Sequence, residues 1–259
     1  MSTNGPLLPA FIASVRAYLL TDAHIRHHTA EGRPGSDAMP GALQENRFYY
    51  FDEDACQAFF HAIEDLAMEE AQGTLVALVS SFKEFEGHRE RYEQIGVTLD
   101  KVAVAGFGRV PKPIHRVHLS EAPRKLAGDY RMISLHAGKV EVIFIARTAG
   151  GGSHQHLGFF TFNPRLTARM RTALTSALKG KGSELREFER LLGVDQAAKQ
   201  IEADLNRQRD AVDRAMLELR EGGDPVRTGR VATELEKGAT RLSEWKNRLS
   251  AMMAQLQGQ

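Results

Sequence analysis

Thr74-Leu75-Val76-Ala77-Leu78-Val79-Ser80 is a short, continuous apolar run that contains β-branched residues. A strand covered on both faces reads this way. A second such run lies at 101–107, KVAVAGF. Between them, 83–95 (KEFEGHRERYEQI) is polar and helical. Strand, helix and strand in this order predict two parallel strands joined by a right-handed crossover.

Upstream of the first run, Cys56, Phe59, Phe60, Ile63, Leu66 and Ala67 fall on one helical face. Asp52 or Asp54 can cap that helix, because a carboxylate there accepts free N–H groups of the first turn. Gly73 ends it. The aromatic run 47–51, RFYYF, reads as a strand or as a lead-in to the helix. Residues 8–20 read as a short apolar helix, and about 31–41 as a loop rich in Gly and Pro. The sequence leaves open whether 1–50 packs on the α/β domain or forms an independent arm.

Downstream, HRVHL (115–119) is a candidate short strand. DYRMISLH (129–136) and KVEVIFIAR (139–147) flank Ala137-Gly138 and read as a hairpin. HLGFFTFN (156–163) is a further aromatic strand, and Asn163-Pro164 suits a helix start. The fold class is therefore α/β, a mixed sheet flanked by helices. Three regions are expected: an N-terminal helix and loop over 1–50, the α/β domain over 51–180, and a helical hairpin over 183–259.

The boundary is drawn at Lys179-Gly180-Lys181-Gly182. A short helix, SELREFERLL, is expected to end at Gly193. The next carries Val194, Ala198, Ile201, Leu205, Gln208, Val212, Ala215 and Leu219 at spacings that alternate four and three. After Gly222-Gly223-Asp224-Pro225 the last helix carries Val231, Leu235, Gly238, Leu242, Trp245, Leu249, Met252 and Leu256 in the same way. This is a heptad seam, and the short break implies an antiparallel coiled-coil hairpin. Ala, Gly and Gln in the seam point to packing against a second copy or a protein partner.

Composition narrows the function classes. A formal net charge of +1 lacks the basic excess of a duplex-binding domain, so no nucleic acid is expected. No apolar stretch approaches the roughly 18 residues that span a bilayer, and no secretory signal is evident. A lone cysteine, Cys56, forms no intrachain disulfide and no cysteine-based zinc cluster. A cytoplasmic, prokaryotic setting is expected.

Catalytic signatures are missing. His24, His27 and His28 would need a helix to bring His24 and His28 together. His154 and His156 would share a face of a strand, whereas His115 and His118 would not. No pair has a recognised zinc spacing, so these read as surface or hydrogen-bonding histidines. Gly150-Gly151-Gly152-Ser153 reads as a strand connection rather than a phosphate cradle, because it lacks the P-loop Lys. Gly106-Phe107-Gly108 lacks the third glycine of a dinucleotide fingerprint. Cys56 reads as core and Asp52/Asp54 as a cap. The aromatics are more suggestive. Phe59, Phe60, Phe107, Phe144 and Phe160 could line a pocket for a flat ligand, although an aromatic core is the plainer reading.

The stretch from about Asp54 to Leu178 resembles the DICT sensory domain, named for its occurrence with diguanylate cyclases and two-component systems. The resemblance rests on FFHAIEDLAMEE (59–70), TLVALVS, FKEFEGHRERYEQI (82–95), KVAVAGFG (101–108) and the closing GFFTFNPRL (158–166). It implies a sensory role and carries no established catalytic residues or assigned ligand, so the cofactor is unknown. No cyclase, kinase or helix-turn-helix output domain is evident. The resemblance thus points to a non-enzymatic signalling adaptor: the α/β domain binds a small-molecule signal or partner, and the hairpin mediates oligomerisation or partner contact. On that reading, deleting 183–259 leaves a folded domain that no longer assembles. A structural scaffold and an enzyme with an unrecognised site are the alternatives.

Overall fold

The computed structural model describes residues 7–35, 43–149, 155–180 and 185–220, together with 229, 233, 236–241, 243, 244 and 247. The chain divides into two compact units: 1–28 with 34–190, and 29–33 with 191–259.

The first unit is built on an eight-stranded mixed sheet, in the order β1-β2-β8-β7-β6-β3-β4-β5. Strand β3 (Thr74–Ser81) pairs in parallel with β4 (Lys101–Phe107), as the two apolar runs predict. The register shifts between Leu78 and Ser81, and pairing resumes at Ser81 opposite Phe107. Strand β5 (Val117–Glu121) extends the parallel set. On the other side β3 pairs antiparallel with β6 (Tyr130–Ala137), which turns into β7 (Val140–Thr148). Gly138 supplies the turn at φ +54°, a conformation that side chains with a Cβ resist. Strand β8 (His156–Thr161) pairs with β7, β2 (Tyr49–Phe51) with β8, and β1 (Ile25–His27) with β2.

One face is covered by α1 (Leu7–Ala17), α2 (Glu53–Glu69) and α4 (Arg89–Thr98), with α3 (Phe82–Phe85) in the crossover. Asp52 caps α2 by accepting the Ala55 N–H at 2.9 Å. Phe11 and Val15 of α1 are buried in the same core as Phe51 and Phe59. Within the first 51 residues, Leu7–Ala17, Ile25–His27 and Tyr49–Phe51 are therefore integral to the α/β fold, supplying one helix and two strands.

The opposite face carries Met132, Ile143, Ile145 and Phe159, which alternate with the first set along their strands. Helix α6 (Pro164–Leu178) buries Met170 and Leu174 there. Asn163 caps it, accepting the Arg165 and Leu166 N–H groups, with Pro164 at its first position. Helix α5 (Arg124–Asp129) links β5 to β6.

The boundary expected near 180 falls later. Leu185 and Phe188 are buried, and the Phe188 ring packs 5.9 Å from Tyr130 and 5.4 Å from Phe48. The Tyr130 hydroxyl donates to Glu189 at 3.1 Å and accepts the Leu185 N–H at 3.4 Å. Arg147 pairs with the same carboxylate at 2.5 Å. Burial, with a further contribution from Glu189, pushes the Tyr130 phenol up to about 12. The helix expected to end at Gly193 instead runs on as α7, Arg186–Arg220. One interior glycine costs only about 1 kcal/mol against alanine, which neighbouring helix-forming residues absorb. A deletion starting at 183 would thus remove Leu185 and Phe188 from the core, so a cut that spares the domain belongs after Arg190.

In the second unit, Ile201 is buried while Leu205 and Val212 are exposed. Gln208 Nε2 donates to the Gly238 carbonyl at 3.0 Å, and 236–241 are helical. Leu219 lies on α7, but its side chain, like Leu235, Leu242, Trp245 and Leu249, lies outside the described residues. The coiled-coil seam thus stays an expectation. No helix among the described residues is long and apolar enough to cross a membrane.

Candidate functional site

Successive residues on a helix point about 100° apart, and α2 uses this to serve two environments. Phe59 turns into the core. Its ring stacks on Phe144 at 4.5 Å and 10°, and lies 5.3 Å from both Phe51 and Phe160. Phe60 turns instead towards α3 and α4 and lines a narrow cleft of about 40 Å³ with Cys56, Glu64, Val79, Phe85 and Tyr92. Four of the five aromatics named for a pocket meet, with Phe60 6.3 Å from Phe144, and Phe107 stands apart from them. Phe59, Phe144 and Phe160 are fully buried core, Phe60 lines the cleft, and Phe107 is exposed at the end of β4.

The cleft is backed by a charged network. Glu64 is almost wholly buried, and its Oε2 accepts from Arg91 Nε at 2.5 Å and lies 3.1 Å from His61 Nδ1. Arg91 Nη2 also donates to Asp65 Oδ1 at 2.6 Å and to the His61 carbonyl at 2.9 Å. The Tyr18 hydroxyl, just beyond α1, donates to Asp65 Oδ2 at 2.6 Å. A buried carboxylate is tolerable only with such partners, because an unpaired one would be strongly penalised. The network therefore fixes α2 against α4 and sets the spacing of the cleft walls.

Tyr92 departs from this pattern of paired groups. It is 1% exposed, and among the described residues its hydroxyl completes no well-formed hydrogen bond, the Glu64 carboxylate being the one acceptor near enough to act on it. Burial first, and the nearby Glu64 carboxylate second, hold its phenol well above the usual range. It therefore stays protonated and can donate. A buried hydroxyl without a partner costs about 1–3 kcal/mol.

At one end of the cleft, Glu53 Oε2 lies 2.9 Å from His156 Nε2, and Glu53 Oε1 lies 3.5 Å from Arg131. The hydrogen bond from His156 holds the Glu53 carboxyl below its ordinary value. Ser80 donates to Glu84 at the other end. Cys56 is buried, and burial, followed by the Glu53 charge, pushes its thiol well up, so it is the reverse of an activated nucleophile.

The histidine readings resolve differently. His24 and His28 do not share a helix, because the chain enters β1 at Ile25, which pairs with Phe51. His24 Nδ1 instead lies 2.7 Å from Asp52 and 3.9 Å from Asp54, but Asp52 is already engaged as the α2 cap. His115 precedes β5 rather than lying on it. His154 and the Gly150–Ser153 stretch lie outside the described residues.

Sequence reasoning missed the cleft. Its residues come from 53–64, 79–92 and 131, which no local spacing joins. One signal was present: Glu64 stands four residues after Phe60, a carboxylate in line with an apolar helix face.

Sheet and cleft together define a three-layer α/β unit with a small, mostly apolar recess between two helices. No family model, curated protein or solved structure matches the chain.

Proposed function

We propose that the α/β unit is a non-enzymatic sensory module, and that its α2–α4 cleft takes the polar tip of a small, largely apolar molecule. The observation that carries this reading is the buried Tyr92 hydroxyl, which lacks a partner on the wall of the cleft. Because that hydroxyl stays protonated, the complementary ligand group is an acceptor oxygen, such as a carbonyl or ether. Phe60, Val79 and Phe85 offer apolar contact to the rest of the molecule. The cleft has room for roughly three water-sized groups, so it selects a narrow tip. The role assigned to α7 and the residues after it is contact with a protein partner or with a second copy. The partly exposed Leu205 and Val212 support that assignment.

The test is to record the absorption spectrum and native mass of the purified full-length chain, alongside Tyr92→Phe. A bound mass in the parent that is lost or weakened about three- to tenfold in the variant supports the reading. The polypeptide mass alone, with no small molecule that stabilises the parent more than the variant, sinks it.

A further inference from the structure

A second recess lies on the far side of α3, outside the carboxyl ends of β3 and β4. It is an open groove of about 990 Å³, lined by Lys83, Arg89, Phe107, Arg109, Val110 and Lys112. In open α/β sheets ligands bind beyond the carboxyl ends of parallel strands.

The charge here is lopsided. The lining has four cations and one carboxylate, Glu86, in a chain whose net charge is only +1. Arg89 has a structural task. Its Nε donates to Glu93 at 3.1 Å, and its Nη2 donates to the Lys112 and Pro113 carbonyls, each at 3.1 Å. It thereby pins the loop that carries Arg109 and Lys112. Glu86 stands 3.6 Å from Arg89. Among the described residues no ion pair or hydrogen bond engages the side chains of Lys83, Arg109 or Lys112. Cations gathered on a fixed loop repel one another, and a bound anion relieves that repulsion.

An aromatic wall stands beside them. Phe107 is 37% exposed and Val110 39%, both among the few large apolar side chains left at the surface. The Arg124 guanidinium lies 5.5 Å from the centre of the Phe107 ring. Ring and cation together form a surface on which a flat π-system can stack.

We propose that this groove binds a small molecule carrying both a phosphate and a planar ring, of the nucleoside monophosphate class. The phosphate is held by Lys83, Arg109 and Lys112, and the ring lies against Phe107. The site is separate from the Tyr92 cleft, and either can be filled while the other is empty.

Titration calorimetry on the full-length chain tests this, with the four ribonucleoside monophosphates, inorganic phosphate and a short single-stranded RNA as probes. At least one nucleotide is expected to bind about tenfold or more tightly than inorganic phosphate. The Lys83→Gln/Arg109→Gln double variant should weaken it by about tenfold or more. Phe107→Ala should bring the nucleotide down to the level of phosphate, while Tyr92→Phe leaves it within about twofold. These groove side chains are exposed, and an unchanged melting temperature in each groove variant confirms folding. The proposal is overturned if no nucleotide binds, if the substitutions leave binding unchanged, or if only the RNA binds.

Discussion

Two clusters of side chains lie on one face of the same sheet, and neighbouring residues of one helix belong to each. Around Phe59 the rings of Phe11, Phe51, Phe144 and Phe160 meet one another at 4.5–5.9 Å, with their side chains free of polar atoms. Around Phe60 the neighbours are Glu64, Tyr92, Val79 and Phe85, with a narrow space among them. The first cluster has satisfied every requirement of burial. The second contains a hydroxyl that has not, held beside a carboxylate that needs an arginine to be there. Aromatic richness therefore marks the stable half, and the unmatched polar atom marks the half where binding is proposed.

Substitutions can separate the two. Phe144→Ala should cost about 3–5 kcal/mol, because it removes the ring stacked on Phe59 and leaves a cavity in a dry core. Chemical unfolding measures this, and a loss under about 1 kcal/mol would mean that the aromatic cluster is loosely packed. Tyr92→Phe should act in the opposite direction and raise the stability of the ligand-free protein by about 1–2 kcal/mol, since it deletes an unsatisfied buried hydroxyl. A loss instead would show that the hydroxyl is bonded in solution and erase the contrast.

The smallest effect concerns pH. The folded-state pKa of Glu53 is depressed, chiefly by the His156 hydrogen bond. Its stabilising contribution is therefore present above the ordinary carboxylate range of about 4 and is lost as pH falls through the lower folded value. Solvent screens this half-exposed group, so the effect is modest. Unfolding midpoints across the acid range, from about pH 2 to 6, should show a shallower acid limb in Glu53→Gln, whereas Phe144→Ala should lower the whole curve without changing its shape. An identical limb in Glu53→Gln and the parent would remove Glu53 from the cleft's electrostatics.

The parts of the fold legible in the sequence are those set by local pattern. Strands β3 and β4 announce themselves because both their faces are covered, and Asn163-Pro164 marks its helix because the cap chemistry is local. Other parts depend on distant partners. Ile25–His27 becomes a strand because Tyr49–Phe51 offers an edge. Gly193 continues a helix, since the cost of a single glycine is small. Phe188 and Leu185, read as the start of a separate hairpin, belong to the core because, beside α6, they cover the part of the second face around Phe48, Tyr130 and Phe159. The cleft was the least legible. Arg91 and Tyr92 sit in a stretch whose polarity reads as a solvated helix, and only Glu64 and Asp65, 27 and 26 residues earlier, explain the arginine.

Helix α3 is a single turn, yet it borders both recesses. Phe85 and Glu84 face the cleft, while Phe82 and Lys83 line the groove. A wall this thin cannot shift towards one space without changing the other. If both proposed sites bind, a ligand that moves this turn from one side would change affinity on the other, and thermodynamic linkage requires the factor to be the same in both directions.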